Sequence, residues 1–144
     1  MGRLGRTSLL LVGVLLSLVV ACAAMGATWD PGAWVESDTL ELQTDVPGEG
    51  PYWFKVWFVV IDGQLYVRLG SRAVGRVEKT KTKPYLGVRI EGQEFEHVEG
   101  VPVPEMADAV ARAMADKYWS DVFVRFFSHP LTLRLVPSQR SGPA

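Results

Sequence analysis

From Tyr52 to Leu69 the chain reads as two strands joined by a two-residue turn. Along Tyr52–Ile61 the residues Phe54, Val56, Phe58 and Val60 fall on one face. Trp53, Trp57, Val59 and Ile61 fall on the other, interrupted by Lys55. Alternation puts successive side chains on opposite faces, so a strand apolar on both must be covered on both. In a small barrel, one face fills the interior and a helix or a second subunit covers the other. Asp62-Gly63 then supplies a left-handed pair of the kind that closes a tight antiparallel hairpin. Gln64–Leu69 returns with Leu65, Val67 and Leu69 on one face.

The rest of the chain extends this pattern. Thr39–Thr44 alternates, with Leu40 and Leu42 inward, and Val46–Pro51, with two Gly and two Pro, reads as a loop. Ser71–Lys79 reads as a short helix. Tyr85–Ile90 and Gln93–Val101 form a second hairpin around Glu91-Gly92. The alternation of Gln93–Val101 slips between Phe95 and Val98, which predicts a bulge. Pro104 suits a first helical turn, and Met106, Val110, Met114 and Tyr118 repeat every four residues, predicting an amphipathic helix to about Lys117. Asp121–Phe127 fits either a short helix or a strand, and Leu131–Val136 alternates as a last strand. Six short strands with two helices predict an α+β fold that is mainly β, a small six-stranded barrel.

The beginning of the chain has a different character. Arg3 and Arg6 precede an apolar run from Leu9 to Val20, too short for the roughly 20 residues of a membrane-spanning helix. The layout is that of an export signal. Val19-Val20-Ala21-Cys22 resembles the lipobox of bacterial lipoproteins, which implies cleavage before Cys22, acyl chains on its sulfur and new amino terminus, and a place in the cell envelope, anchored on the outer side of the cytoplasmic membrane. Cleavage after Ala23 or Ala24, or an uncleaved helix, are the alternatives. The lipoprotein reading divides the chain into a signal (1–21), a tether (22–37), a barrel domain (38–137) and a tail (138–144). Trp29 and Trp34 are unusual in a tether and are expected to pack back onto the domain or to sit at the lipid interface. The mature chain would carry 13 basic and 16 acidic residues, which argues against nucleic acid as a partner. With one Cys, no intrachain disulfide and no Cys-rich metal site can form.

Charge is unevenly spread. Between Arg68 and Arg89 lie seven basic residues and one acid, Glu78. Arg72, Arg76 and Lys79 are spaced to share a helical face, at the junction of a strand end and a helix start, where amides and guanidinium groups suit a phosphate. The plainer reading is a solvated face that protects a sheet edge. The run Trp57-Phe58-Val59-Val60-Ile61-Asp62-Gly63-Gln64-Leu65-Tyr66-Val67-Arg68, followed by a basic helix, Pro84 and a strand, resembles the split barrel of the pyridoxamine 5′-phosphate oxidase-like superfamily. The resemblance implies a cofactor of the FMN or deazaflavin F420 type, redox chemistry, and a homodimer with the cofactor at the subunit interface. It matches Arg68 to the family's strand-end arginine and Arg76 to its helical lysine; together with the charge pattern, this gives Arg68, Arg72, Arg76 and Lys79 as expected partners of the phosphate and Trp57 as the expected wall of the ring system. Two positions depart from the family pattern: Leu69 stands where a Thr is usual, and Val74 where a Ser is usual.

Other chemistry is weakly signalled. His97 and His129 lie far apart, no Gly-x-Ser-x-Gly elbow is present, and Glu94, Glu96 and Glu99 read more simply as a solvated strand face than as a cation site. No residue is required to act as catalytic acid, base or nucleophile, which suits an enzyme whose cofactor carries the chemistry. Two functions therefore stand: a flavin- or F420-dependent redox protein, and a cofactor-free binding module of the envelope. The basic segment lying on anionic lipid is a third, weaker reading.

Overall fold

The computed structural model describes residues 27–118 and 131–138. Cys22, His129 and the ambiguous stretch Asp121–Phe127 lie outside them. The described strands are β1 (Thr39–Val46), β2 (Gly50–Ile61), β3 (Gln64–Leu69), β4 (Tyr85–Ile90), β5 (Gln93–Pro102) and β6 (Leu131–Pro137). They close into an antiparallel barrel in the order β1-β2-β3-β6-β5-β4. Helix α1 (Ser71–Lys79) follows β3, and helix α2 (Ala107–Lys117) lies between β5 and β6. Among the described residues, no helix is long and apolar enough to cross a membrane.

Local chemistry explains the register. Asp62 and Gly63 adopt φ of 50° and 73°, Glu91 and Gly92 of 47° and 74°, and both pairs close two-residue hairpins. The expected bulge is present: Leu86 faces Val98 and Val88 faces Phe95, so Glu96 and His97 stand against Gly87 alone. His97 takes a φ of 57° there, which turns the strand and restores the inward alternation. The loop expected over Val46–Pro51 is shorter than its composition suggests. Asp45 pairs with Pro51 and Val46 with Gly50, leaving Pro47–Glu49 as the connection. Positive φ at Gly48 and Gly50 makes so tight a loop accessible. Pro104 opens a 3₁₀ turn (Pro104–Met106) that leads into α2.

Both faces of β2 are covered along its second half, while Pro51, Tyr52 and Lys55 of its first half are exposed. Phe54, Val56, Phe58 and Val60 join the barrel interior with Leu40, Leu42, Leu65, Val67, Val88 and Leu135. Trp57, Val59 and Ile61 pack outside the barrel against Val110, Met114 and Tyr118 of α2 and its end. One end of the barrel receives Ala73, Val74 and Val77 of α1. At the other, the segment read as a tether contributes Trp34, only 2% exposed, from a 3₁₀ turn (Pro31–Trp34). Trp29, Trp34 and Phe95 meet edge to face at 5.1–5.6 Å. Of the two placements open to these tryptophans, packing onto the barrel is the one adopted.

Candidate functional site

The barrel opens beside β2. That strand is twelve residues long and its partner β3 only six. Their ladder runs from Ile61 opposite Gln64 to Phe58 opposite Val67. Beyond this point β2 continues along β1, from Trp57 opposite Thr39 to Gly50 opposite Val46. β3 instead continues along β6, to Leu69 opposite Leu131. The two strands therefore part, and a cleft of about 630 Å³ lies between them. Such a volume is typical of small-molecule sites.

Phe54, Val56, Leu69 and Met114 give the cleft apolar walls, and Lys55, Trp57, Arg68, Gly70, Ser71, Arg72 and Ala73 complete most of its lining. Three of these side chains are cationic, and among the described residues none of the lining is acidic. Gly70 precedes α1 and no side chain caps the helix; its first turn holds no acid. The positive end of the α1 dipole therefore faces the cleft with no acid beside it among the described lining residues, and with backbone N–H groups at its first turn.

Trp57 is backed from behind. Its ring stacks on Tyr118 with centroids 4.5 Å apart and planes within 4°. Tyr118 is held by its hydroxyl, which lies 2.6 Å from the Asp38 carbonyl and 2.9 Å from that of Phe58, and accepts the Phe58 N–H at 3.3 Å. Lys117 donates to the carbonyls of Ser37 and Phe58 at 2.6 and 3.2 Å, and its ammonium sits 3.9 Å from the Phe58 ring centroid. β1 begins only at Thr39, opposite Trp57, so these two side chains serve backbone groups of Phe58 beyond the end of that strand. Burial pushes the Tyr118 phenol up to about 12, while the Phe58 backbone hydrogen bond opposes the rise and the Asp38 charge adds to it. Burial also holds Lys117 below the usual lysine range, against the pull of Asp38 and Glu36.

The residues singled out in the sequence divide into two groups. Trp57, Arg68 and Arg72 line the cleft. Arg76 and Lys79 do not; they line an adjoining recess of about 430 Å³ with Val46, Glu49, Ser71, Arg72 and Gly75. Arg76 is already engaged, donating to Glu49 at 2.9 Å and covering the Tyr52 ring at 4.3 Å. Helical spacing correctly grouped Arg72, Arg76 and Lys79, but the hairpin that brings Glu49 to Arg76 is a tertiary contact that spacing does not carry. Leu69 and Val74, the two departures from the family pattern, pack against the barrel core. Lys55 and Met114 were not singled out; Lys55 shares the outward face of Trp57, and Met114 reads as ordinary helix core.

No protein-family model matches the chain, and no curated protein matches its sequence. Solved structures do match. HutZ, the heme storage protein from Vibrio cholerae, is 17% identical, with 71% of this chain and 82% of that one covered and a TM-score of 0.54. The conserved hypothetical protein Rv2991 from Mycobacterium tuberculosis is 20% identical, with 74% and 78% covered and a TM-score of 0.56. At these identities the likeness establishes a shared fold, the small split barrel.

Proposed function

We propose that this protein binds a phosphorylated, flavin-type cofactor, FMN or F420, in the cleft between β2 and β3, and takes part in redox chemistry. The observation that carries the reading is the meeting of an apolar slot, an indole backed by a phenol, and an uncapped helix start flanked by Arg68 and Arg72. The residues fit such a group. Trp57, Phe54 and Val56 offer apolar surface to a planar ring system, with buried Leu69 and Met114 beneath them, and Arg68, Arg72 and the first-turn amides of α1 offer donors to a phosphate. A bound flavin or deazaflavin would supply the hydride or electron transfer. The chain's own part is to seat the ring away from water and to neutralise the phosphate.

Heme, which HutZ stores, also suits the fold, but the described lining of this cleft holds no His, Cys or Tyr, and its chemistry favours a phosphate. The sequence resemblance supplies the flavin identity, the homodimer and the expected interfacial position of the cofactor. The lipobox supplies the remaining parts: export, acylation of Cys22 and anchoring in the envelope.

A cofactor-free binding module is the second reading. Leu69 in the core and Val74 packed against it favour this reading, because neither position offers a hydroxyl to a phosphate. Titration of the purified protein with FMN and with F420, followed by absorbance and cofactor fluorescence, separates the two. Saturable binding of either supports the first reading, and no binding of both leaves the second.

A further inference from the structure

The cationic recess adjoins the cleft. Ser71 and Arg72 line both, so the first turn of α1 forms the ridge between them. A ligand whose first phosphate lies at this turn and which extends over Arg72 comes to Arg76 and Lys79. There it meets Glu49, carried on the short loop between β1 and β2, with its carboxylate 2.9 Å from the Arg76 guanidinium. The pair is open to water, with side chains 55% and 32% exposed for Glu49 and Arg76. An ion pair so exposed is weak and readily exchanged, whereas a phosphate or carboxylate of a ligand can engage the guanidinium in two hydrogen bonds.

We infer that the recess of Arg72, Arg76 and Lys79 is a second anion subsite, taking a ligand that carries another anionic group beyond its first phosphate, and that Glu49 holds Arg76 in its place when no such ligand is present. This deepens the cleft reading above, on which the nature of the ligand's ring portion rests. It gives that site a preference: a cofactor with an extended anionic tail or a diphosphate is favoured over one that ends at a single phosphate. Glu49 acts as an internal competitor, so removing its charge strengthens the second contact without altering the first.

The test needs no flavin. Inorganic orthophosphate and tripolyphosphate are titrated into the full chain by calorimetry, with wild type compared to Glu49→Gln, Arg76→Gln and Glu78→Gln. Glu78 is exposed on the same helix and lies outside the recess, so its substitution controls for net charge. Glu49→Gln is expected to tighten tripolyphosphate binding by about three- to ten-fold and to leave orthophosphate within about two-fold. Arg76→Gln is expected to abolish the preference for the longer anion. Equal gains from Glu49→Gln and Glu78→Gln, or no gain from Glu49→Gln, overturn the subsite. Failure to bind FMN alongside the expected tripolyphosphate pattern would refute the ring-binding cleft and leave the anion subsite standing.

Discussion

Tyr118→Phe removes one oxygen and leaves the ring that backs Trp57. In the wild type that oxygen accepts the Phe58 N–H and its hydrogen reaches one of two carbonyls, those of Asp38 and Phe58. After the substitution the Phe58 carbonyl keeps Lys117 at 3.2 Å. The Asp38 residue is exposed, so water can serve its carbonyl. The Phe58 N–H is left with no replacement in a buried residue, and an orphaned donor of this kind costs about 1–3 kcal/mol. A loss of about 2 kcal/mol at neutral pH follows. With a urea slope of about 1.5 kcal/mol/M it lowers the unfolding midpoint by a little over about 1 M. The pH dependence is a second signature. The phenol has a folded-state pKa of about 12 against an ordinary value of 10.0, so its contribution is complete below pH 10 and is lost as the pH rises through 12. Lys117, whose folded-state pKa is lowered, works in the opposite sense, because the cost of burying its charge is relieved as the pH rises. That term is common to both proteins and largely cancels in their difference. The gap between wild type and Tyr118→Phe should therefore be constant from pH 7 to 9 and close above 10. Equal midpoints at pH 7, or a gap that does not close under alkaline conditions, would refute the proposed role of this hydroxyl.

Three further perturbations probe other parts of the account. Trp34→Ala empties a buried site where the Pro31–Trp34 turn packs on the barrel and should cost about 3–5 kcal/mol, seen as a lower denaturation midpoint and a loss of near-ultraviolet circular dichroism; a change under about 1 kcal/mol would mean the segment merely rests on the barrel. Gly87→Ala places a methyl 2.9 Å from the Cβ of Gln43 and 3.2 Å from the Trp53 ring, so it should destabilise by about 1–3 kcal/mol by thermal unfolding, although Gly87 has ordinary φ; a neutral result would show that β1 and β2 yield there. Cys22→Ala in the full-length chain should move the protein from the detergent phase to the aqueous phase on Triton X-114 partition, whereas unchanged partition would exclude acylation as the anchor.

Much of the barrel was legible because its signals are local and agree with one another. The doubly apolar β2 announced its two coverings, the Asp62-Gly63 and Glu91-Gly92 pairs announced hairpins, and the slip between Phe95 and Val98 announced the bulge. Charge and helical period grouped Arg72, Arg76 and Lys79. The division of those cations between two recesses was not legible, because it depends on the parting of β2 from β3 and on the loop that carries Glu49 to Arg76. The loop itself was read as too long, since Gly and Pro mark turns without saying how tightly strands close around them. Lys55 and Met114 reach the cleft from a strand and a helix whose patterns have complete explanations as surface and core. Neither residue carried a separate signal.

On the proposed function, a phosphorylated ring cofactor sits between β2 and β3 with its phosphate at the start of α1. Amide and indole resonances of the isotope-labelled protein, followed during titration with FMN, test it most directly. Saturable shifts are expected, largest at Gly70, Ser71, Arg72 and Ala73 and at the Trp57 indole, and weakened in Arg72→Ala. Shifts confined to other surfaces, or none at saturating FMN, would contradict it.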